Sequence, residues 1–452
     1  MKVFGSSGTR GVANEELTPA FALRVATAAG SVWEADRVAL ARDTRLTGPM
    51  LADAAASGLQ SVGAAVERLG VIPTPGLQAY CEAETIPGIM VTASHNPAEY
   101  NGIKLVGDDG VELPVETLER IEDVFLADTT DPTQWDQVGT TRTIDTGPDR
   151  YIEQLKTTLD RDAIADADLT VALDPGHGAG ALTSARFLRE LGCEVVTVNA
   201  QPDGHFPGRD PEPIESNLAD LGRLVRTADA DVGVAHDGDA DRAIFFDERG
   251  RYIEGDATLA ALAAAELSTT TVAVSAVNVS QRLVDVVESI GASLELTAIG
   301  STRIMTRIRE LEADGETVAV AGEGNGGIIF PDYRLARDGA YTAGKFLELL
   351  ADRPASELVA EYDGYHNVRR KIAYDTDDEL AALREAAADY AATADGDVTT
   401  IDGHRIDYGD AWVLARPSGT EPVLRLYAEA RTPERATTLA DDFETHLIEG
   451  IE

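Results

Sequence analysis

Cysteine is nearly absent from this chain of 452 residues, occurring only at Cys81 and Cys193. Two thiols without neighbours at metal-ligand spacing exclude a disulfide framework and a cysteine metal site, leaving buried free thiols as the expectation. Long apolar runs are missing too. No stretch of about eighteen apolar residues occurs, which excludes a membrane-spanning helix, and Met1-Lys2-Val3-Phe4-Gly5 shows no basic and apolar leader. A soluble, cytoplasmic protein is expected. Positive charge is scarce: lysine occurs only at Lys2, Lys104, Lys156, Lys345 and Lys371, and 79 acidic residues against 38 lysines and arginines leave a net charge of −41. Such an excess repels phosphate backbones and excludes a general nucleic-acid partner. The acids are scattered along the chain rather than gathered in a tail, so their repulsion has to be screened, and a salt-adapted protein is expected.

Hydrophobic residues make up 44% of the sequence, and the length exceeds one ordinary core, so three or four domains are predicted. An internal repeat organises them. The runs Val38-Ala39-Leu40-Ala41, Val171-Ala172-Leu173 and Val272-Ala273-Val274 are each followed by a polar loop, a helical stretch and a glycine before a second apolar run. Those second runs begin at Gly63, Gly192 and Gly291. Strand, helix, glycine turn and strand make a βαβ unit with parallel strands. Periodicity lapses at 128–132 and on to Gly147-Pro148, read as a linker, while 247–250 reads as a turn between strands and 352–354 closes the third unit. From about residue 360 the pattern changes to strand, helix and further strands. The expected domains are 1–140, 148–248 and 249–355, all α/β, with a smaller α+β domain over 360–452.

Four loops carry candidate chemistry. In Val91-Thr92-Ala93-Ser94-His95-Asn96-Pro97 a strand runs into a turn that places Ser94 at its C-terminal end, where open α/β sheets hold their sites. His95 and Lys104 could polarise the hydroxyl or balance an attached phosphate; most single loop serines, however, only cap helices or bond the backbone. The run Asp237-Gly238-Asp239-Ala240-Asp241-Arg242 sets three carboxylates at alternating positions after a strand, an oxygen-only set suited to Mg²⁺. An EF-hand is excluded, because Arg242 stands where that loop needs glycine and strands rather than helices flank it. In so acidic a chain the competing reading is a solvated turn. Glu323-Gly324-Asn325-Gly326-Gly327 offers a carboxylate and an amide in a loop open to close approach, suited to sugar hydroxyls. Finally, Arg416-Pro417-Ser418-Gly419-Thr420-Glu421-Pro422 with Arg425 presents two guanidinium groups, two hydroxyls and a glycine amide, a cradle for a phosphate dianion. It lacks Walker spacing. Together these are the parts for phosphoryl transfer on a phosphosugar.

On these loops, together with Phe4-Gly5-Ser6-Ser7-Gly8-Thr9-Arg10-Gly11 and Asn101-Gly102-Ile103-Lys104, the sequence resembles the α-D-phosphohexomutases over its whole length. That family includes phosphoglucomutases, phosphomannomutases and phosphoglucosamine mutases. The resemblance implies an α/β fold of three similar βαβ-containing domains plus a smaller C-terminal α+β domain around a central cleft. It implies that Ser94 carries a phosphoryl group and holds one Mg²⁺ with Asp237, Asp239 and Asp241, and that Arg10, His95 and Lys104 line the reaction centre. Arg242 is implied beside the metal loop, Glu323 and Asn325 on the sugar, and Arg416, Ser418, Gly419, Thr420 and Arg425 on the phosphate that does not react. The implied reaction interconverts hexose 1-phosphate and 6-phosphate through a hexose 1,6-bisphosphate that turns over between two transfers, with a small-molecule sugar phosphate as the partner. Two departures matter. Many relatives end the sugar loop in a histidine, a candidate proton carrier, where this chain has Gly327, so Lys104 with Arg10 nearby is the remaining choice. The loop 297–303 lacks the Asp or His common after its glycine. The Glu-Gly-Asn-Gly-Gly loop resembles archaeal members, and the acidic composition fits a halophile among them. Glucosamine phosphate is the expected substrate, with glucose or mannose phosphates as the alternative. A sugar-phosphate phosphatase and a non-catalytic binder are the more distant readings.

Overall fold

The computed structural model describes residues 3–5, 8–418 and 421–450. They form two compact units, Met1–Thr258 with Asn325–Ala360, and Leu259–Gly324 with Glu361–Glu452.

Each apolar run of the repeat becomes the first strand of a parallel pair. Strand Arg37–Arg42 lies parallel to Ala65–Val71 with Val38 opposite Val66. Helix Gly48–Ser61 joins them and buries Leu51, Ala52, Ala55, Ala56 and Leu59, the spacing of one helical face. Strand Thr170–Asp174 lies parallel to Glu194–Thr197 with Val171 opposite Val195. In the second unit Thr271–Ala276 lies parallel to Ser293–Thr297; the connecting helix Gln281–Ile290 is capped by the Ser280 hydroxyl and closed by left-handed Gly291. The repeat legible in the sequence is thus present three times.

In the first unit, the sheet around the Ser94 loop has six strands in the order Thr9–Val12, Tyr100–Val106, Gly88–Val91, Arg37–Arg42, Ala65–Val71, Thr141–Thr143. The two pairings involving Tyr100–Val106 are antiparallel, so the sheet is mixed. Its last strand lies in the stretch expected to be linker: Thr141–Thr143 pairs in parallel with Ala65–Val71. A second sheet of five strands is ordered Tyr252–Ile253, Ile244–Phe246, Val232–Ala235, Thr170–Asp174, Glu194–Thr197. The expected turn at 247–250 joins its antiparallel outer strands.

The second unit ends in an antiparallel sheet ordered His366–Ala373, Val423–Ala430, Ala411–Pro417, His404–Asp407, Asp397–Thr399. Helices Asp377–Thr393 and Pro433–Glu449 bury Leu383, Ala387, Phe443 and Leu447 against its Ile406, Val413, Leu424 and Leu426. This matches the strand, helix and further strands read beyond residue 360. Among the described residues no helix is long and apolar enough to cross a membrane.

Candidate active site

Strand Gly88–Val91 is buried throughout and delivers Ser94 at its C-terminal end. Ser94 is 1% exposed and holds a φ of +51°, a left-handed conformation that a non-glycine residue adopts only when its surroundings impose it. Those surroundings are specific. The Ser94 N–H donates to Thr92 Oγ1 at 2.9 Å, and the Thr92 hydroxyl donates to Asp43 Oδ2 at 2.6 Å. Asp43 pairs with Arg45 Nε at 3.0 Å, both fully buried. The Arg45 guanidinium then donates to the carbonyls of Ser94, Asn96, Pro97 and Tyr100. Desolvation pushes the Asp43 carboxyl up, and Arg45 opposes that.

The loop 236–243 follows strand Val232–Ala235 and returns into Ile244–Phe246, both buried. Asp237, Asp239 and Asp241 lie in it, each buried, with one oxygen from each within 4.8 Å of the others. Gly238 allows the loop to press on the serine turn, since a Cβ there would stand 2.6 Å from the Ser94 carbonyl oxygen. Ser94 Oγ donates to Asp237 Oδ2 at 2.7 Å. Asp239 Oδ2 accepts from Thr74 Oγ1 at 2.5 Å and Lys104 Nζ at 2.7 Å. Asp241 Oδ2 accepts from Lys104 Nζ at 3.1 Å and Arg337 Nη2 at 2.7 Å. The remaining oxygens, Asp239 Oδ1 and Asp241 Oδ1, are buried with no hydrogen-bond partner. Buried polar atoms are rarely left so. Two orphaned carboxylate oxygens beside a third carboxylate fit a hard divalent cation rather than a solvated turn.

The charges around this loop are strongly coupled. Burial, then Asp241 and Asp239, push the Asp237 carboxyl up from its ordinary range. Burial would raise Asp241 as well, but Arg337, Lys104 and Arg242 outweigh it and hold that carboxyl far below its usual range. Burial likewise works against Lys104, yet Asp239 and Asp241 overcome it and keep the ammonium charged. Lys104 is thus held between two carboxylates of the loop. Arg242, burial and Arg10 push His95 down to about 2, so its ring is neutral. Because Arg242 Nη2 can only donate, its 3.1 Å contact makes His95 Nδ1 an acceptor and places the ring proton on Nε2. His95 Nδ1 also stands 3.3 Å from Ser94 Oγ. Arg10 is exposed on strand Thr9–Val12 and donates to Asn96 Oδ1 at 3.1 Å.

Of the sugar loop, Asn325 to Gly327 belong to the first unit. Asn325 Oδ1 accepts from the Gly327 N–H at 3.0 Å, and the Gly326 carbonyl accepts from Ala243 N–H as the metal loop leaves. Ser94, His95, Lys104, Arg10, Arg242 and the three aspartates are thus assembled in one unit with the end of the sugar loop. Glu323 closes strand Thr317–Glu323 in the second unit. There, Arg416 and Arg425 stand directly opposite on neighbouring strands, an unfavourable pairing of like charges without a shared anion. Asp402 pairs with Arg416 at 3.0 Å and Glu421 with Arg425 at 2.8 Å. Ser418 Oγ accepts from the Glu421 N–H. A cavity of about 640 Å³ is lined by Arg384, His404, Arg416 and Ser418 among others. The Asp402 carboxylate also accepts from the Ile299 N–H, so the loop 297–303 lies beside Arg416. Gly419 and Thr420 lie outside the described residues.

Sequence reasoning missed Asp43, Arg45, Thr74 and Arg337. The first two carried a signal, since Arg42-Asp43-Thr44-Arg45 begins where a parallel strand ends. Arg337 carried none, because its role depends on a pairing made far along the chain.

Residues 1–131, 149–250 and 254–365 match alpha/beta/alpha domains I, II and III of phosphoglucomutase/phosphomannomutase, and residues 367–446 match its C-terminal domain. A phosphoglucomutase/phosphomannomutase from Thermococcus kodakarensis is 42% identical over 445 residues, covering 96% of each chain. A phosphoglucosamine/phosphogalactosamine mutase from Sulfurisphaera tokodaii is 34% identical, covering 99% of each. The crystal structure of a phosphoglucomutase/phosphomannomutase family protein from Burkholderia thailandensis superposes with a TM-score of 0.86 at 29% identity, over 99% of this chain and 97% of that one. With four family domains in order and relatives matched end to end, the chain belongs to the phosphoglucomutase/phosphomannomutase family of phosphohexomutases, isomerases that act by phosphotransfer.

Proposed function

We propose that this chain interconverts hexose 1-phosphate and hexose 6-phosphate through a phosphorylated Ser94 and a hexose 1,6-bisphosphate. The observation that carries the reading is Ser94 Oγ, buried in a strained turn 2.7 Å from Asp237, beside the orphaned oxygens of Asp239 and Asp241. Asp237, Asp239 and Asp241 would hold Mg²⁺ together with the phosphorylated Ser94. When bound, the ion supplies charge neutralisation for the transferring phosphoryl group.

The chain's own residues do the rest. Attack of the free sugar hydroxyl on the Ser94 phosphorus forms one P–O bond as the bond to Ser94 Oγ breaks, and the proton lost by the sugar hydroxyl ends on Ser94 Oγ, which returns as the free hydroxyl that donates to Asp237. The bisphosphate then turns over, and Ser94 Oγ takes the other phosphoryl group by the same exchange. Lys104 serves as a cation toward the phosphoryl oxygens, because two carboxylates keep it charged. Arg242 fixes the neutral tautomer of His95 beside Ser94 Oγ. Asn325 and Glu323 read the sugar hydroxyls. Arg416, Ser418, Gly419, Thr420 and Arg425 grip the idle phosphate, an anion that the two facing arginines would share.

Glucosamine phosphate is the favoured substrate, supported by the Glu-Gly-Asn-Gly-Gly loop and by a full-length relative named for glucosamine and galactosamine. A second reading, glucose or mannose phosphate, is favoured by the 42% identical relative. Comparing kcat/KM for the three 1-phosphates with Mg²⁺ in high salt separates them. The products must be 6-phosphates; release of free phosphate instead would make the chain a phosphatase. Ser94→Ala is expected to lose turnover entirely, and a Ser94 peptide from the wild type to carry a phosphoryl group by mass. Mutase turnover in that variant would overturn the mechanism.

A further inference from the structure

Arg337 ends strand Arg334–Arg337, antiparallel to Gly327–Phe330, and is 8% exposed. Its side chain runs through the space a residue other than glycine would take at 327: a Cβ on Gly327 would stand 2.7 Å from Arg337 Cδ. By that route the guanidinium reaches Asp241 Oδ2 at 2.7 Å, sharing this oxygen with Lys104, while Asp241 Oδ1 is left without a hydrogen-bond partner. Glu112 lies 3.7 Å from the same Arg337 nitrogen.

Three cations already stand against the triad without a metal, and Glu112 offsets part of the charge of Arg337. Three aspartates face Lys104, Arg337 and Arg242, whose nitrogens stand between 2.7 and 3.9 Å from the carboxylate oxygens. We infer that Arg337 is a positioning residue that sets the affinity of the aspartate triad for its divalent cation. This rests on the metal reading above. Two effects of Arg337 oppose each other. Its hydrogen bond occupies Asp241 Oδ2 and fixes the carboxylate with Oδ1 left over as a ligand atom, which favours the cation. Its charge stands one carboxylate away from that cation in a buried setting, which disfavours it. Asp239 and Asp241 are already oriented by Thr74 and Lys104, so the charge of Arg337 is the larger effect. Arg337 thus weakens the site, keeping the ion exchangeable until a phosphoryl dianion on Ser94 adds its own charge.

Calorimetric titration of Mg²⁺ into the metal-stripped full-length protein, with Ser94 verified unphosphorylated by mass, tests this. Arg337→Met, which keeps volume and removes charge, is expected to bind Mg²⁺ about tenfold more tightly than the wild type. Arg337→Lys, which keeps the charge, is expected to stay within about threefold. Should Arg337→Met unfold, Arg337→Gln retains a donor for Asp241 and is expected to bind more tightly as well. Binding by Arg337→Met or Arg337→Gln that is unchanged or weaker overturns the inference while leaving the metal site standing. A wild type that binds no Mg²⁺, or an Asp239→Asn variant that binds it undiminished, overturns the metal reading itself.

Discussion

Arg45 has all five guanidinium N–H groups in use: one on Asp43 and four on the carbonyls of Ser94, Asn96, Pro97 and Tyr100. The Phe206 ring lies over it, 5.1 Å from ring centre to guanidinium carbon. The second repeat does the same with Asp174 and Arg209. Arg209 Nε pairs with Asp174 at 3.1 Å, and its other nitrogens donate to the carbonyls of His236, Asp210 and Pro211. In these two repeats an aspartate just beyond or at the end of the first strand anchors an arginine that fixes the loop carrying chemistry. A lysine could not replace either one, since its three donors cannot span four carbonyls and a carboxylate. Arg45→Lys is therefore expected to lower kcat about a hundredfold through a slight displacement of Ser94. KM for the sugar phosphate should move little, because Arg45 faces the loop's backbone. Steady-state kinetics beside a melting curve decide it: a fall in melting temperature with kcat intact would make Arg45 structural only.

At the scale of elements, legibility followed apolar burial. The strands beneath Ser94 and the aspartates are short buried runs, so the sequence placed them and the turns that follow. Strand Thr141–Thr143 escaped because all three residues are exposed and present no alternation to read. What holds it is charge. Arg142 stands opposite Glu67 and donates to its carboxylate at 2.5 Å, beside Arg37 at 3.0 Å and the Tyr80 hydroxyl at 2.6 Å. Burial would raise the Glu67 carboxyl, but hydrogen bonds from Tyr80, Arg142 and Arg37 more than offset that and hold it below its ordinary 4.5. A carboxyl depressed by folding stabilises the fold above its unfolded value, and that contribution fades as pH falls through the folded one. Glu67→Gln is thus expected to destabilise the protein by about 2 kcal/mol at neutral pH. The deficit should shrink as the pH is lowered from about 4.5. Paired denaturant melts at neutral and acid pH measure it; a deficit constant with pH would mean that shape, not charge, is what Glu67 contributes.

For the whole molecule, the distribution of cations matters more than their number. Buried acids hold close cations: Asp43 has Arg45, Asp174 has Arg209, Asp241 has Arg337, and Glu429 has Arg282 at 3.7 Å. With 38 lysines and arginines against 79 acids, each buried pair removes one charge of each sign, and the excess of 41 negative charges stays with the rest of the molecule. Helix Asp377–Thr393 opens with Asp377, Asp378 and Glu379, favourable to its own dipole but repelling one another. At about 0.1 M salt the Debye length is about 10 Å, so this repulsion reaches across neighbouring elements; at about 1 M it is about 3 Å and the repulsion is local. The melting temperature is therefore expected to climb steeply from about 0.1 M to about 1 M KCl and then level off. Exclusion of salt from the protein surface would act differently, strengthening burial further with each increment of salt. The shape of the curve separates the two causes. A plateau identifies screening of surface charge, while a melting temperature already level at the lowest salt would mean that the paired carboxylates suffice and the excess charge costs the fold little.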